Sequence, residues 1–315
     1  MSGEVIAELE QSHGVVTEEL KSADTFLDAL SPRNRRWGDP SSWIYRGQAN
    51  AEWKLLAKAV RDRNAFAKYT IEGNPLNWTE RGVMMNTLLD RFQKGLDRSG
   101  IVVPSAIHEV FKSGATMTPS GEPSREHFPL MALAQHHGLP TLLLDWSGRA
   151  LVAAYFAAVD AANPDTNGLG THLAVWALRV VYPNDGFDSW GRMLMVYHAP
   201  GGTNPNLRAQ SGVFTLLRDV NTRPIAETVS DTPAGPFGLE DYVSSTTRPA
   251  PGVTPGVFAL RQMTLPITEA PKLLRLLSYE GIDGASMFPG ADGVVRAMRE
   301  RALWDVQVGG SEGTS

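Results

Sequence analysis

The stretch RALVAAYFAAVDAA, residues 149–162, constrains the fold most. It is almost wholly apolar and rich in alanine. A helix that is apolar all round belongs inside a domain, so this one is expected to be central and buried. Other elements must wrap around it. Helical spacing recurs in SADTFLDAL (22–30), where Ser22 caps the start and Phe26, Leu27 and Leu30 share a face. It recurs at about 53–66 and at 79–97, where Met85, Leu88, Leu89 and Phe92 repeat at helical intervals. FPLMALAQHHG is helical and stops at Gly138, with Pro140 just beyond. APKLLRLLSYEG (270–281) and the stretch from ASMFPGADG to about 300 supply further helices. Strands are predicted at 43–46, 141–146, 171–180, 212–220 and 258–267. Helices and strands mix without a regular βαβ cadence. The expected class is therefore α+β, with a single mixed or antiparallel sheet flanked by helices.

A chain of 315 residues suffices for one large domain or two modest ones. Residues 1–21 read as a polar N-terminal extension and 22–307 as one domain. Residues 221–256, rich in Pro, Thr, Ser and Gly, read as a long surface excursion, and 308–315 as a disordered tail. The absence of cysteine excludes disulfides, thiolate nucleophiles and cysteine-ligated metals, and points to the cytoplasm. The N-terminus lacks the apolar segment of a secretory signal, and no run of 18 apolar residues suggests a membrane span. A net charge of -5 argues against whole-surface attraction to nucleic acid. One region runs the other way. Between residues 46 and 68, Arg46, Lys54, Lys58, Arg61, Arg63 and Lys68 face only Glu52 and Asp62.

Several residues carry candidate chemistry. In WIYRGQAN (43–50) a strand of aromatic and β-branched residues ends in Arg46, and an arginine is costly to bury unless an anion meets it. His136 and His137 sit in the last turn of a predicted helix, pointing about 100° apart. Their adjacent spacing is poor for zinc, and the alternative is one capping and one packed histidine. Asp145 closes an apolar strand, so its carboxylate needs a partner such as Arg46, Arg149 or a histidine; the alternative is a loop-orienting cap. Gln210, in NLRAQSGVF, can read an amide or a ribose, or simply be solvated. P-loop, dinucleotide-fingerprint and nucleophile-elbow motifs are all missing.

Together, YRGQANAEWKL, AQHHGLPTLLLDWS with the following ALVAAYFA, NLRAQSGVF and SMFPGADG make the chain resemble the FRG domain family, over about residues 22–300. Leu142 stands where family members commonly carry arginine. The resemblance implies a part in bacterial or phage-related conflict systems, as toxin or defence effector. The aromatic-Arg-Gly strand end is in turn similar to the first motif of arginine-type ADP-ribosyltransferases. That likeness implies a transferase-like fold with NAD as substrate. Tyr45, Arg46, Gly47, Gln48 and Gln210 would then bind NAD, and Arg46, His136, His137 and Asp145 would carry catalysis toward a nucleic acid or protein acceptor. The transferases' Q-x-E or E-x-E pair has no counterpart here. Glu227, Glu240, Glu269 and Asp145 are the candidate carboxylates, and Asp145 is preferred because it lies in a family string. Two other readings stay open. One is a non-catalytic nucleotide- or nucleic-acid-sensing module; the other is a hydrolase or nuclease that uses His136 or His137 with Asp145.

Overall fold

The computed structural model describes residues 14–62, 64–69, 78–101, 127–163, 170–180, 194–198, 205–217, 238–245 and 259–308. Its centre is one seven-stranded mixed sheet with the order β1-β7-β4-β2-β3-β6-β5. The strands are β1 (Gly14–Glu19), β2 (Trp43–Gln48), β3 (Leu144–Ser147), β4 (His172–Arg179), β5 (Leu194–His198), β6 (Gly212–Leu217) and β7 (Ala259–Pro266). β1 runs parallel to β7, and every other described pairing is antiparallel. The fold is thus α+β with a single sheet, as the sequence pattern implies.

Ten α-helices flank the sheet among the described residues: α1 (Ala23–Leu30), α2 (Lys58–Arg61), α3 (Trp78–Arg98), α4 (Phe128–His136), α5 (Ala150–Ala161), α6 (Pro205–Ala209), α7 (Leu239–Ser245), α8 (Ala270–Tyr279), α9 (Gly284–Met287) and α10 (Ala291–Val308). Ser22 caps α1 through a reciprocal box with Thr25, and Phe26 and Leu30 turn inward, as the spacing predicts. The apolar helix α5 is indeed central: Val152, Ala153, Ala154 and Ala157 are all but inaccessible to solvent. It packs with α1 and α8 over β2, β4 and β7. Its small side chains let it approach β2 closely. A Cβ built on Gly47 would lie 2.7 Å from the Ala157 backbone nitrogen and closer still to the Ala153 carbonyl oxygen. On the opposite face, Ile44, Trp176 and Leu260 are covered by Leu55 and by Leu239 and Val243 of α7. A third cluster packs α3 and α4 onto β6, β5 and the residue just before β3 through Leu89, Met131, Leu143, Phe214 and Met195.

Some expectations differ from the structure. Residues 14–19, placed in the polar extension, form β1 at the sheet edge, because β7 offers them a parallel ladder. The helix expected at 53–66 contracts to α2, since Leu55 and Leu56 are buried in an extended approach rather than along one helical face. Part of the expected excursion, residues 239–245, forms α7. It is anchored where Glu240 accepts from the Leu55 amide at 3.0 Å and Lys54 pairs with Asp241 at 2.9 Å. The rest of that segment and the tail 309–315 lie outside the described residues. No helix among the described residues is long and apolar enough to cross a membrane.

Candidate functional site

The site is built where the sheet opens. β2 pairs with β4 along its whole length, from Trp43 opposite Arg179 to Gln48 opposite Ala174. With β3 it shares one described pair, Tyr45 opposite Ser147. β3 instead runs with β6, with Asp145 opposite Phe214. Beyond Tyr45, then, β2 and β3 part, and a cavity of about 200 Å³ opens between them, α2 and α4. Arg46, Lys58, Arg61, Gln135, His136, Asp145 and Gln210 supply its polar lining. Leu56, Leu143, Leu144 and Phe214 are apolar walls.

Arg46 spans the opening. Its Nη1 donates to the Asp145 carbonyl at 2.8 Å and lies 3.8 Å from the Asp145 carboxylate. The Arg46 side chain is only 14% exposed, whereas that of Asp145 is 60% exposed. Burial pulls the Arg46 pKa below its ordinary value; Asp145 and Asp160 oppose this, and Arg61 adds to it by like-charge repulsion. The Arg46 Nε is buried without a hydrogen-bond partner. A guanidinium held in this way keeps donor capacity that the protein does not use.

Asp145 is oriented by a directional relay. The Thr141 hydroxyl donates to Gln135 Oε1, and Gln135 Nε2 donates to Asp145 Oδ1 at 2.5 Å. Thr141 also accepts from the Leu143 amide at 3.2 Å. Because Oε1 is fixed by Thr141, the amide nitrogen of Gln135 has to face the carboxylate. Gln135 and Thr141 both lie in the quoted string AQHHGLPTLLLDW, yet the sequence alone gave neither a role. Lys58 and Arg61 were also missed, although the basic density of residues 46–68 was their signal. They lie three residues apart on α2, which puts them on one face of a helical turn.

The remaining predicted residues divide clearly. Gln210 lines the cavity, donates to the Met287 carbonyl at 3.2 Å and accepts from Ser147 Oγ on its own carbonyl at 2.8 Å. SMFPGADG is thereby tied to the site. His136 Nε2 lies 3.2 Å from Asn206 Nδ2, and burial followed by the neighbouring His137 lowers its pKa. With the amide donating, the ring is neutral and carries its proton on Nδ1. His137 is outside the cavity lining, packed at the surface against Phe92 with ring centroids 6.0 Å apart and the rings tilted by 46°. Tyr45, Gly47 and Gln48 do not line the cavity either. Tyr45 is buried against Trp37, and burial raises its phenol pKa. Gly47 admits α5. Gln48 is buried, accepts from Trp176 Nε1 at 2.9 Å and donates to the Lys54 carbonyl at 3.3 Å. These three position Arg46 from the core side.

The other carboxylates have local duties. Glu240 caps the approach to α2 at Leu55, Glu269 accepts from the Ala23 amide at 2.9 Å, and Glu227 lies outside the described residues. Leu142 packs against the α3–α4 cluster, and Arg149 and Arg208 are exposed away from the cavity lining. Among the described residues, the cations facing the cavity are therefore Arg46, Lys58 and Arg61.

Residues 41–166 match the family model of the FRG domain. That span includes Arg46, α2, the relay and α5; Gln210 lies beyond it. No curated protein matches the chain, and no solved structure does.

Proposed function

We propose that this FRG-domain protein binds a nucleotide where β2 and β3 part, and that the nucleotide is NAD, used for ADP-ribosyl transfer. One observation carries the reading: a buried arginine with unused donor capacity, Arg46, stands beside an exposed, oriented carboxylate, Asp145. The guanidinium suits phosphate oxygens, which it can hold as a fork. Transfer breaks the bond between ribose C1′ and the nicotinamide nitrogen, whose electron pair leaves with nicotinamide. The ribose passes through an oxocarbenium-like state, and an acceptor nucleophile then bonds to C1′ and loses its proton to solvent. A carboxylate near C1′ stabilises that positive charge mainly in the transition state. Gln135 keeps Asp145 aimed, and Gln210 is within the same cavity to meet a ribose hydroxyl or amide. The acceptor would be a macromolecule, nucleic acid or protein, in keeping with the toxin or phage-defence role that the FRG resemblance implies.

A second reading is favoured by size. A cavity of about 200 Å³ falls below the roughly 300–1,000 Å³ of sites that enclose a drug-sized ligand. It receives one phosphate-bearing end more readily than a whole dinucleotide, as a non-catalytic sensing module would need. Calorimetry with NAD, followed by mass spectrometry of released nicotinamide, separates the two. Transfer predicts NAD binding that Arg46→Lys weakens in a folded protein, and release that Asp145→Asn slows more than it weakens binding. Binding without release, with candidate acceptors supplied, selects the sensing module. Folded protein that binds no NAD at millimolar ligand refutes the transferase reading.

A further inference from the structure

We propose that Lys58 and Arg61 complete, with Arg46, a site for a diphosphate group, and that this clamp determines which ligands the cavity accepts. The identity of the ligand as NAD rests on the reading above; the anion site stands on its own observations.

The first is charge. Among the described residues three cations line the cavity, against Asp145 in the lining and Asp160, which acts on Arg46 from outside it. The second is unused donor capacity. The Arg46 Nε is buried and unpaired. Lys58 gives one donor to the Gly138 carbonyl at 3.2 Å, and an ammonium carries three. The third is mutual repulsion. Arg61 acts on Arg46 as a like charge and makes its protonated state harder to keep. Like charges held around a small space raise each other's free energy, and an anion between them lowers it.

The surroundings favour an anion over bulk water. Leu56, Leu143, Leu144 and Phe214 form low-dielectric walls that concentrate the field of the three cations in the cavity. Arginines at two of the three positions match pairs of phosphate oxygens with planar forks, and Lys58 supplies a point charge. Three positive groups in the described lining, against the single carboxylate of Asp145 there, suit an anionic ligand with more than one negatively charged oxygen. A diphosphate meets this condition, and a neutral sugar or base does not.

The test uses the whole chain and inorganic pyrophosphate as probe, in isothermal calorimetry at low ionic strength, with NAD as competitor. Pyrophosphate should bind and compete with NAD. Arg61→Ala and Lys58→Ala should each weaken pyrophosphate roughly 10- to 100-fold, the loss expected for a charge-assisted hydrogen bond. Arg61→Lys should recover part of that affinity, since it restores the charge without the fork. Both side chains are exposed, so the urea midpoints should match the parent protein, which keeps the comparison free of unfolding. Equal pyrophosphate affinity in the parent and Arg61→Ala proteins overturns the inference, as does absence of pyrophosphate binding at millimolar concentration. Pyrophosphate binding that depends on Arg61, without NAD binding, supports the clamp and removes NAD as the ligand. NAD binding that pyrophosphate does not displace removes the clamp and leaves the NAD reading in place.

Discussion

Replacing Gly47 by alanine tests whether the glycine of the Tyr-Arg-Gly run serves the helix or the ligand. A Cβ there would lie 2.7 Å from the Ala157 nitrogen and 3.0 Å from the Ala153 carbonyl carbon, with the Ala153 oxygen nearer still. All three atoms belong to the backbone of α5, so no side-chain rotation relieves the clash. Ordinary packing needs roughly 3.5 Å, so α5 has to move by nearly an ångström to clear the nitrogen and by more than an ångström to clear the Ala153 oxygen, or β2 has to bend. Both lie in the main core cluster, where close packing resists displacement. Overpacking a core costs about 1–3 kcal/mol and occasionally more, and a clash with helix backbone belongs at or above the top of that range. With a urea dependence of about 3 kcal/mol per molar, a loss of about 3 kcal/mol lowers the unfolding midpoint by about 1 M. Circular dichroism across a urea series reads this directly. A midpoint within about 0.2 M of the parent, together with lost ligand binding, would refute the packing argument and return Gly47 to the ligand.

Two further substitutions probe the frame and the relay. Glu300 on α10 is 3% exposed and accepts from Tyr155 Oη at 2.5 Å and from the Gly284 amide at 2.9 Å. Glu300→Ala should cost about 2–5 kcal/mol, because it strands two donors, and Glu300→Gln should cost less; urea midpoints check the order, and equal losses would contradict it. Gln135→Leu should reduce nicotinamide release several-fold more than NAD affinity, since it frees Asp145 to rotate without removing a cation. Steady-state kinetics with a separate binding isotherm test this, and an equal loss in both parameters would mean that Gln135 contacts the ligand instead.

The sequence made the frame legible where one physical signal dominated. The apolar run at 149–162 could only be a buried helix, and the glycine–proline stop after His137 ended α4 at His136. The apolar, only partly alternating run at 171–180 was enough to place β4, which is buried along nearly its whole length. β1 was not legible, because GVVTEE is polar enough to pass for an extension; its place follows from the ladder that β7 offers. At the site, Arg46, Asp145 and Gln210 could be named from local oddity, a cation or carboxylate beside an apolar run and an amide before a strand, although Arg46 and Asp145 lie within β2 and β3 rather than at the strand ends that the sequence suggests. Gln135 and Thr141 could not. Their roles depend on a loop folding back from α4 to β3, and nothing in local composition shows which polar side chains meet across it. The motif also joins two kinds of residue: Arg46 reaches the cavity, while Tyr45, Gly47 and Gln48 hold the strand against its neighbours.

That division explains why a buried strand carries a cation at Arg46, although the strand runs on to Gln48 rather than ending there as its sequence suggests. A continuous β2–β3 ladder would meet the backbone of β3 with backbone of β2 and leave no cavity. Here the strands part after Tyr45, and the Arg46 guanidinium meets the Asp145 carbonyl at 2.8 Å. The arginine thus satisfies a polar group beside the opening and keeps the two strands linked across it. An apolar residue of similar length would fill the space but leave that carbonyl unmet, at a cost of about 1–3 kcal/mol if water did not reach it. A lysine would reach with a single ammonium and lose the second arm of the fork. The same geometry leaves Nε unpaired and brings Arg61 near enough to repel, which stability alone would not select. A residue that holds the opening together while keeping an unsatisfied donor is what the proposed anionic ligand would require at this point of β2.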